Sequence, residues 1–393
     1  MPRVLIVQSV MKHYRVPFFT ALHAALQRDG IDLTVAYSDP NRTHSSRGDN
    51  AELPKTLGRH VKGYWLADRL LYQPIWREVA RADLVIVGPE IKYLINPILL
   101  LMSMLRMKTV AFWGLGPNMH PDRSPLAERI KGRFFTKVDW WFAYTDSVAE
   151  YLRKRGMPAN RITNVQNSTD TADLRRLMNE IPDGDVFAAK EILTGSGESV
   201  IGLYCGLMGE IKALPLLLDA ARIVNKQYPQ FHLVLIGNGP DRLWLEKAVS
   251  GDPWIHYLGS KYGRESALYY KMADVFMLAG TAGLAVVDSF AAGLPLLATR
   301  LATHPPEISY LAEGENGRLV PHDAEAFAAA VVEVLSNPAL MTKLRRGARE
   351  SGSQYTMEAM VENFRFGVHA CLAKHGALSR LSAADLAVPR IER

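Results

Sequence analysis

Residues 278–295 read LAGTAGLAVVDSFAAGLP. An apolar run ends in an uncharged loop containing Gly280 and Gly283, and a helical pattern begins near Leu284. A buried strand that feeds a helix through a glycine loop is one βα unit of a parallel sheet. At such a junction the amides of Thr281, Ala282, Gly283 and Leu284 are placed to cradle a diphosphate. A helix start offers free N–H groups and the positive end of its dipole. Asp288, about one turn further on, is placed to accept hydrogen bonds from ribose hydroxyls. Taken alone, such loops occur throughout α/β proteins.

Two more loops repeat the design. GLMGEIK (206–212) joins a strand to a helix and sets Lys212 at the helix start. A lysine there neutralises a leaving diphosphate as a point charge; the same residue also reads as an ordinary solvated lysine. GNGP (237–240) is a glycine turn at the same sheet end that shapes the cleft.

The alternation extends over the whole chain. Continuous apolar runs at 3–8, 31–37, 83–88 and 108–113 read as strands buried on both faces, with helices at 17–27 and 97–105 between them. A second series of strands falls at 199–205, 232–237, 255–259, 275–278 and 294–299, with helices at 214–224 and 285–292. The turn-rich stretch 181–197 reads as a linker, and 356–374 as a last amphipathic helix. Two doubly wound α/β domains then face each other across a cleft at the carboxyl ends of their strands. His13 and Arg15, after the first strand, face that cleft end on the acceptor side.

A chain of 393 residues suits two domains, and 48% hydrophobic with 22% charged residues is ordinary globular composition. Cys205 and Cys371 lie in apolar stretches and read as reduced core residues, which fits a cytoplasmic home. The apolar run before His13 is too short for a signal peptide. The longest apolar stretch, 93–105, is broken by Asn96 and Pro97 and falls short of the roughly 20 residues that span a bilayer. It reads as a buried helix packed on a sheet. Charge is uneven. Residues 1–170 carry 24 Lys and Arg against 15 Asp and Glu, a net of +9, and the remainder carries 22 against 25. The basic half points to an anionic surface, or is a solvated face without a partner. Nucleic acid is not expected, since no zinc knuckle or stacked-aromatic pattern is present. Asp183-Gly184-Asp185 spells a metal-binding triplet of another fold, but it sits in the expected linker and reads as a turn. No metal site is expected.

The ordered series GLMGEIK, LVLIGNGPD, IHYLGS, ADVFMLAG, GLAVVDSFAAGLP, HPPEISYL and ENGRLV resembles the retaining glycosyltransferases of family four, of GT-B architecture. FWG-x-G at 112–116, YTDS at 144–147 and VQNSTD at 165–170 extend the resemblance over nearly the whole chain. It implies two Rossmann-like domains, 1–175 for the acceptor and 190–355 for the donor, with a helix over 356–375 crossing back to the first.

Site roles follow from the same resemblance. The family has two glutamates eight positions apart; Asp288 holds the second position, which binds the donor ribose, and Gly280 the first. Gly206, Gly237 and the 280–284 loop line the donor site. Leu207 stands where the family has an arginine, leaving Lys212 of that basic pair, with Arg300 or Arg264 as substitutes. His120 follows the strand end that carries a histidine in several relatives. His304 and Glu307 open a helix at the cleft, with Glu307 on donor hydroxyls. Lys212, His120 and Glu307 are the implied catalytic set. The implied reaction transfers a hexosyl group with retention by front-face attack, in which the departing diphosphate takes the acceptor's proton and no metal or cofactor is used.

The resembled branch belongs to bacterial surface-polysaccharide assembly, including lipopolysaccharide. It implies a nucleotide-sugar donor, a polyprenyl- or other lipid-linked saccharide acceptor, and peripheral attachment to the inner face of the cytoplasmic membrane. Two other functions suit the architecture: a sugar-nucleotide 2-epimerase, and a catalytically degenerate sugar-nucleotide or lipid-binding protein.

Overall fold

Continuous Val, Leu and Ile runs are buried on both faces only where helices cover both sides of a parallel sheet. The computed structural model, which describes residues 1–40, 50–90, 92–116 and 136–376, has two such sheets. The first contains β1 (Arg3–Val10), β2 (Asp32–Ser38), β3 (Gly58–His60), β6 (Leu84–Val87), β7 (Thr109–Gly114), β8 (Trp140–Ala143) and β9 (Ile162–Asn164). Their order is β3-β2-β1-β6-β7-β8-β9, and every neighbouring pair is parallel. A small antiparallel hairpin, β4 (Tyr64–Leu66) with β5 (Leu70–Tyr72), stands beside it. The second sheet contains β10 (Val200–Cys205), β11 (Phe231–Ile236), β12 (Ile255–Tyr257), β13 (Val275–Leu278), β14 (Leu296–Thr299) and β15 (Gly317–Val320). It is also all parallel, ordered β12-β11-β10-β13-β14-β15. The strand order reverses between β1 and β6 and again between β10 and β13. These reversals open a crevice at the carboxyl ends of the strands, where open α/β sheets bind ligands.

The last helix, Met357–Lys374, belongs by packing to the first sheet. Its Met360, Phe364, Val368 and Cys371 complete one core face with the helix Val16–Arg28. Phe364 is fully buried, stacks on Phe142 at 4.3 Å and meets Trp113 edge-on at 5.1 Å. Asp29 fastens the far end, accepting from Arg365 Nη2 at 2.8 Å and lying 2.7 Å from His369 Nε2. The chain thus leaves the first sheet, builds the second and returns.

The structure departs from the sequence expectations in two places. The stretch 181–197, expected as a turn-rich linker, folds into the helix Asp183–Thr194, which follows the helix Thr171–Asn179; these are two consecutive helices. Gly195, at φ 81°, caps the second of these in the left-handed conformation that glycine adopts freely. Asp183 and Asp185 are therefore first-turn helix residues and not a free turn. Lys271 sits 2.8 Å from Asp183, and Arg264 sits 3.9 Å from Asp185. The second departure is the apolar stretch 93–105. Its helix, Asn96–Met104, buries Leu99, Leu100 and Ser103 but leaves Ile98, Leu101 and Met104 exposed. No single helix among the described residues is long and apolar enough to cross a membrane.

Phe364→Ala removes the centre of the returning helix's contact. It is expected to destabilise the chain by about 3–5 kcal/mol, read by denaturant unfolding.

Candidate active site

The loops after β10 and β13 meet closely enough to exclude a side chain. A Cβ built on Gly280 falls 2.2 Å from the Lys212 carbonyl carbon and 2.4 Å from its Cα. The family glutamate therefore has no room here, and the departure at Gly280 has a steric cause. What replaces it is a stitch between loops. The Thr281 amide and hydroxyl both donate to the Ile211 carbonyl, at 2.8 and 3.1 Å. Lys212 Nζ donates to the Thr281 carbonyl at 2.5 Å. Lys212 ends the short turn Glu210–Lys212, and burial pushes its pKa down to about 8. The amine has two further N–H groups beside this bond.

His304 fastens the other side of the same loop. Its Nδ1 accepts from the Ala282 amide at 3.0 Å, and its Nε2–H donates to the Thr299 carbonyl at 2.7 Å. Both ring nitrogens are used, which fixes the tautomer and leaves the imidazole neutral; burial lowers its pKa further. His304 thus supports the 280–284 loop, with both ring nitrogens engaged within the protein. The amides of Thr281 and Ala282, expected to cradle a diphosphate, are spent within the protein. The free donors shift one step along the chain. Among the described residues the amides of Gly283, Leu284 and Ala285 have no acceptor, and they open the helix Ala285–Ala291. Gly206 and Gly237 shape the neighbouring turns. Gly237 has φ 137°, and a Cβ on it falls 1.8 Å from the Gly206 carbonyl oxygen.

Asp288 lies one turn into that helix. Its Oδ1 accepts from the Thr169 hydroxyl at 2.9 Å, which ties it to the loop after β9. Burial raises its pKa from 3.8 to about 6, against the pull of Thr169.

A second cluster joins the two sheets. Arg15 is buried at 5% exposure, and its Nη2 donates to Asn167 Oδ1 at 2.8 Å. Asn167 Nδ2 donates in turn to Glu307 Oε1 at 2.5 Å. Asn167 and Glu307 are 1% and 2% exposed. The guanidinium lies 5.1 Å from the Trp113 ring centre and 5.8 Å from that of Tyr144, within cation–π range. Burial raises the Glu307 carboxyl pKa, opposed by Asn167 and Arg15. The Tyr310 hydroxyl donates to the carbonyls of Tyr144 and Asn167, both at 3.3 Å.

The remaining expected residues are placed elsewhere. His13 is exposed on the turn His13–Arg15. His120 lies outside the described residues. Arg300 donates to the Leu319 carbonyl at 3.0 Å, and Arg264 is held near Glu180 and Asp185, so neither stands in for the arginine replaced by Leu207. Among the described residues no group of three or more His, Cys, Asp and Glu is placed to hold a metal ion. Asn167 and Thr169 were not singled out from the sequence. Their signal is the polar run NSTD after a strand, where Asn167 and Ser168 are nonetheless buried. A pocket of about 520 Å³ lined by Arg3, Asp32, Arg59 and Arg81 lies at the amino-terminal strand ends, away from this cleft.

Asp288→Asn separates ligand binding from stability. The folded carboxyl stays protonated up to about pH 6, whereas an unfolded one ionises near 3.8. The wild type therefore loses stability as pH rises from about 4 to 6, and the variant does not. Thermal melts are expected to show the variant's relative stability growing across that window and level above it.

Residues 199–337 match the family model described as Glycosyl transferases group 1. The alpha-monoglucosyldiacylglycerol synthase of Acholeplasma laidlawii is 26% identical over 184 residues, 45% of this chain and 45% of that one. A phosphatidyl-myo-inositol mannosyltransferase of Mycolicibacterium smegmatis is 30% identical over 188 residues, 45% of this chain and 47% of that one. The chain thus spans less than half the length of these relatives. In three dimensions it is similar to the Anabaena protein HepE, crystallised in complex with UDP, with a TM-score of 0.69. That likeness, at 13% identity, covers 94% of this chain and all of the other, and concerns the fold. Residues 199–337 thus resemble the group 1 glycosyltransferases, and the whole chain shares the two-sheet GT-B fold of structures such as HepE.

Proposed function

We propose that this chain is a retaining, metal-independent hexosyltransferase. It takes the sugar from a nucleotide-sugar donor and places it on a lipid-linked saccharide at the inner face of the cytoplasmic membrane, in surface-polysaccharide assembly. The observation that carries the reading is the donor loop. A lysine ammonium, three free amides at a helix start and a ribose-side carboxylate converge on one end of the second sheet. That set matches a nucleoside diphosphate in charge and in donor pattern. HepE supports the donor side through the UDP named with it. The two relatives support the acceptor side, since both names specify glycolipid products or lipid acceptors.

In this reading the diphosphate lies against Gly283, Leu284 and Ala285, with Lys212 beside it. Its negative charge restores the lysine's proton where burial alone has weakened it. Catalysis consists of holding donor and acceptor together and stabilising charge on the leaving group. The anomeric carbon–oxygen bond to the diphosphate breaks, the acceptor oxygen bonds from the same face, and its proton passes to the departing diphosphate. A 2-epimerase of the same architecture needs acid and base groups around the sugar, and Gly280 has no room for one.

A thermal-shift panel of UDP-, GDP-, dTDP- and ADP-sugars tests the donor site. One base is expected to raise the melting temperature; a ligand at about 100 times its Kd stabilises by about 2.7 kcal/mol. No shift with any of them overturns the reading. Lys212→Ala is expected to lower turnover by on the order of 10²–10³. Wild-type donor affinity should fall as pH rises through about 8, where the lysine loses its charge, and this limb should be missing in the variant. Unchanged turnover in Lys212→Ala removes the lysine from the mechanism.

A further inference from the structure

The helix Asn96–Met104 and the residues just after it carry an apolar face that nothing among the described residues covers. Ile98, Leu101 and Leu105 follow helical spacing on one side, with Met104 and Met107 beside them, and all five are 46–66% exposed. Leu99, Leu100 and Ser103 on the opposite side are buried against the first sheet. The hairpin β4–β5 prolongs the surface. Its Leu71 amide donates to the Lys92 carbonyl, and its Leu71 carbonyl accepts from the Leu94 amide, while Tyr64 and Leu66 stand exposed. With Leu94 just before the helix, these two segments supply 8 of the 18 large exposed hydrophobic residues among the described residues, so the patch is a concentration and not surface scatter.

The rim is cationic. Residues 92–108 contain Lys92, Arg106 and Lys108 and no acidic residue, and the hairpin adds Lys62 and Arg69 against the single Asp68 at its tip. Lys108 is engaged with the carbonyls of Ala80 and Ala82, which leaves Lys92, Arg106, Lys62 and Arg69 for the rim. A helix of nine residues is about 14 Å long, far short of a span, and lies in the plane of an interface. Apolar side chains ringed by lysine and arginine suit the boundary between acyl chains and anionic headgroups. A second copy of the chain suits the face less well, because a self-complementary contact sets each cationic rim against its own kind.

We infer that this face docks the first domain on an anionic lipid bilayer. Asn96 fixes where the membrane then lies. Its Nδ2 donates to the carbonyls of Gly88 and Glu90 at 2.8 and 3.0 Å, pinning the helix start to the cleft end of β6. A docked bilayer meets the rim of the acceptor crevice, so a lipid-borne saccharide enters without leaving its membrane. This orientation rests on the lipid-acceptor reading above; the surface itself rests on exposure and charge.

Full-length protein is sedimented with vesicles of phosphatidylcholine, and with vesicles that also contain phosphatidylglycerol. The wild type is expected to bind the anionic vesicles preferentially. The triple variant Ile98→Gln, Leu101→Gln, Leu105→Gln should lose about tenfold or more in vesicle affinity. Arg106→Glu should lose much of the preference for phosphatidylglycerol. All the substituted side chains are exposed, so melting temperature and the shift given by the sugar nucleotide should stay at wild-type values. Vesicle binding unchanged in the triple variant overturns the proposal, and so does equal binding of the wild type to both vesicles. A wild-type dimer that the triple variant dissociates also overturns it, since a second copy then covers the face. Expected vesicle behaviour without any sugar-nucleotide shift leaves the docking face standing and removes the donor reading instead.

Discussion

The close approach of the Lys212 backbone to Gly280 sets the geometry of the candidate site. With no Cβ at 280, the loop after β10 seats directly on the loop after β13, and three hydrogen bonds close the seam. The seam has two chemical results. It holds the lysine beside the start of the helix Ala285–Ala291, and it uses up the amide of Thr281, while His304 takes that of Ala282. The free amides therefore begin at Gly283, whose φ of 142° lies in the region that favours glycine. A glutamate at 280 contacts a ligand through its side chain; here the backbone and a neighbouring loop occupy that space. The substitution is thus a rebuilt site wall and not a simple loss.

Between the sheets the governing term is desolvation. Arg15, Asn167 and Glu307 are all buried, and an ion buried alone is costly. Asn167 makes the arrangement tolerable by accepting from the cation and donating to the carboxylate, so each charge has a directed partner and they remain a residue apart. Removing any one of the three leaves a buried polar group unpaired. Thr169, two residues along the same loop, holds Asp288 on the helix Ala285–Ala291. The short segment after β9 therefore connects the first sheet to both the helix at 285–291 and the turn at 306–310.

Most of the fold was legible because its signals are local. Runs such as VLIV and LVLI are apolar on both faces, and only a covered parallel sheet accommodates them. The strands β3, β4, β5, β8, β9 and β15 went unread; strands as short as β12 and β13 were found, so length alone did not hide them, and pairing with a neighbour defines them more than their composition does. The helix Asp183–Thr194 was hidden by Pro, Asp and Gly at its start, residues that serve a helix amino terminus and a turn equally well. The stretch 93–105 was read as buried because its hydrophobicity is nearly continuous. Sequence shows how apolar a helix is, whereas what covers each side depends on tertiary packing. At the site, Lys212 and Asp288 were found from their loops. The reason for Gly280, the supporting role of His304 and the bridging role of Asn167 needed coordinates, because each depends on residues at least 22 positions away.

The same contacts bear on where the acceptor's proton goes. A general base needs a free lone pair within reach of the acceptor hydroxyl. His304 has none, because one nitrogen accepts from an amide and the other carries a proton held by a carbonyl. Glu307 is bonded to Asn167 and sits under the field of Arg15. Asp288 is tied to Thr169 of the loop after β9. Each of these groups, taken from the sequence as chemistry-bearing, has a structural partner that limits it as a base. In the proposed transfer the group best placed to accept the proton is then the leaving diphosphate, whose oxygens gain charge as the sugar departs. On that proposal Lys212 and the amides at 283–285 balance two demands, stabilising that charge enough to let the bond break while leaving the oxygen basic enough to take the proton.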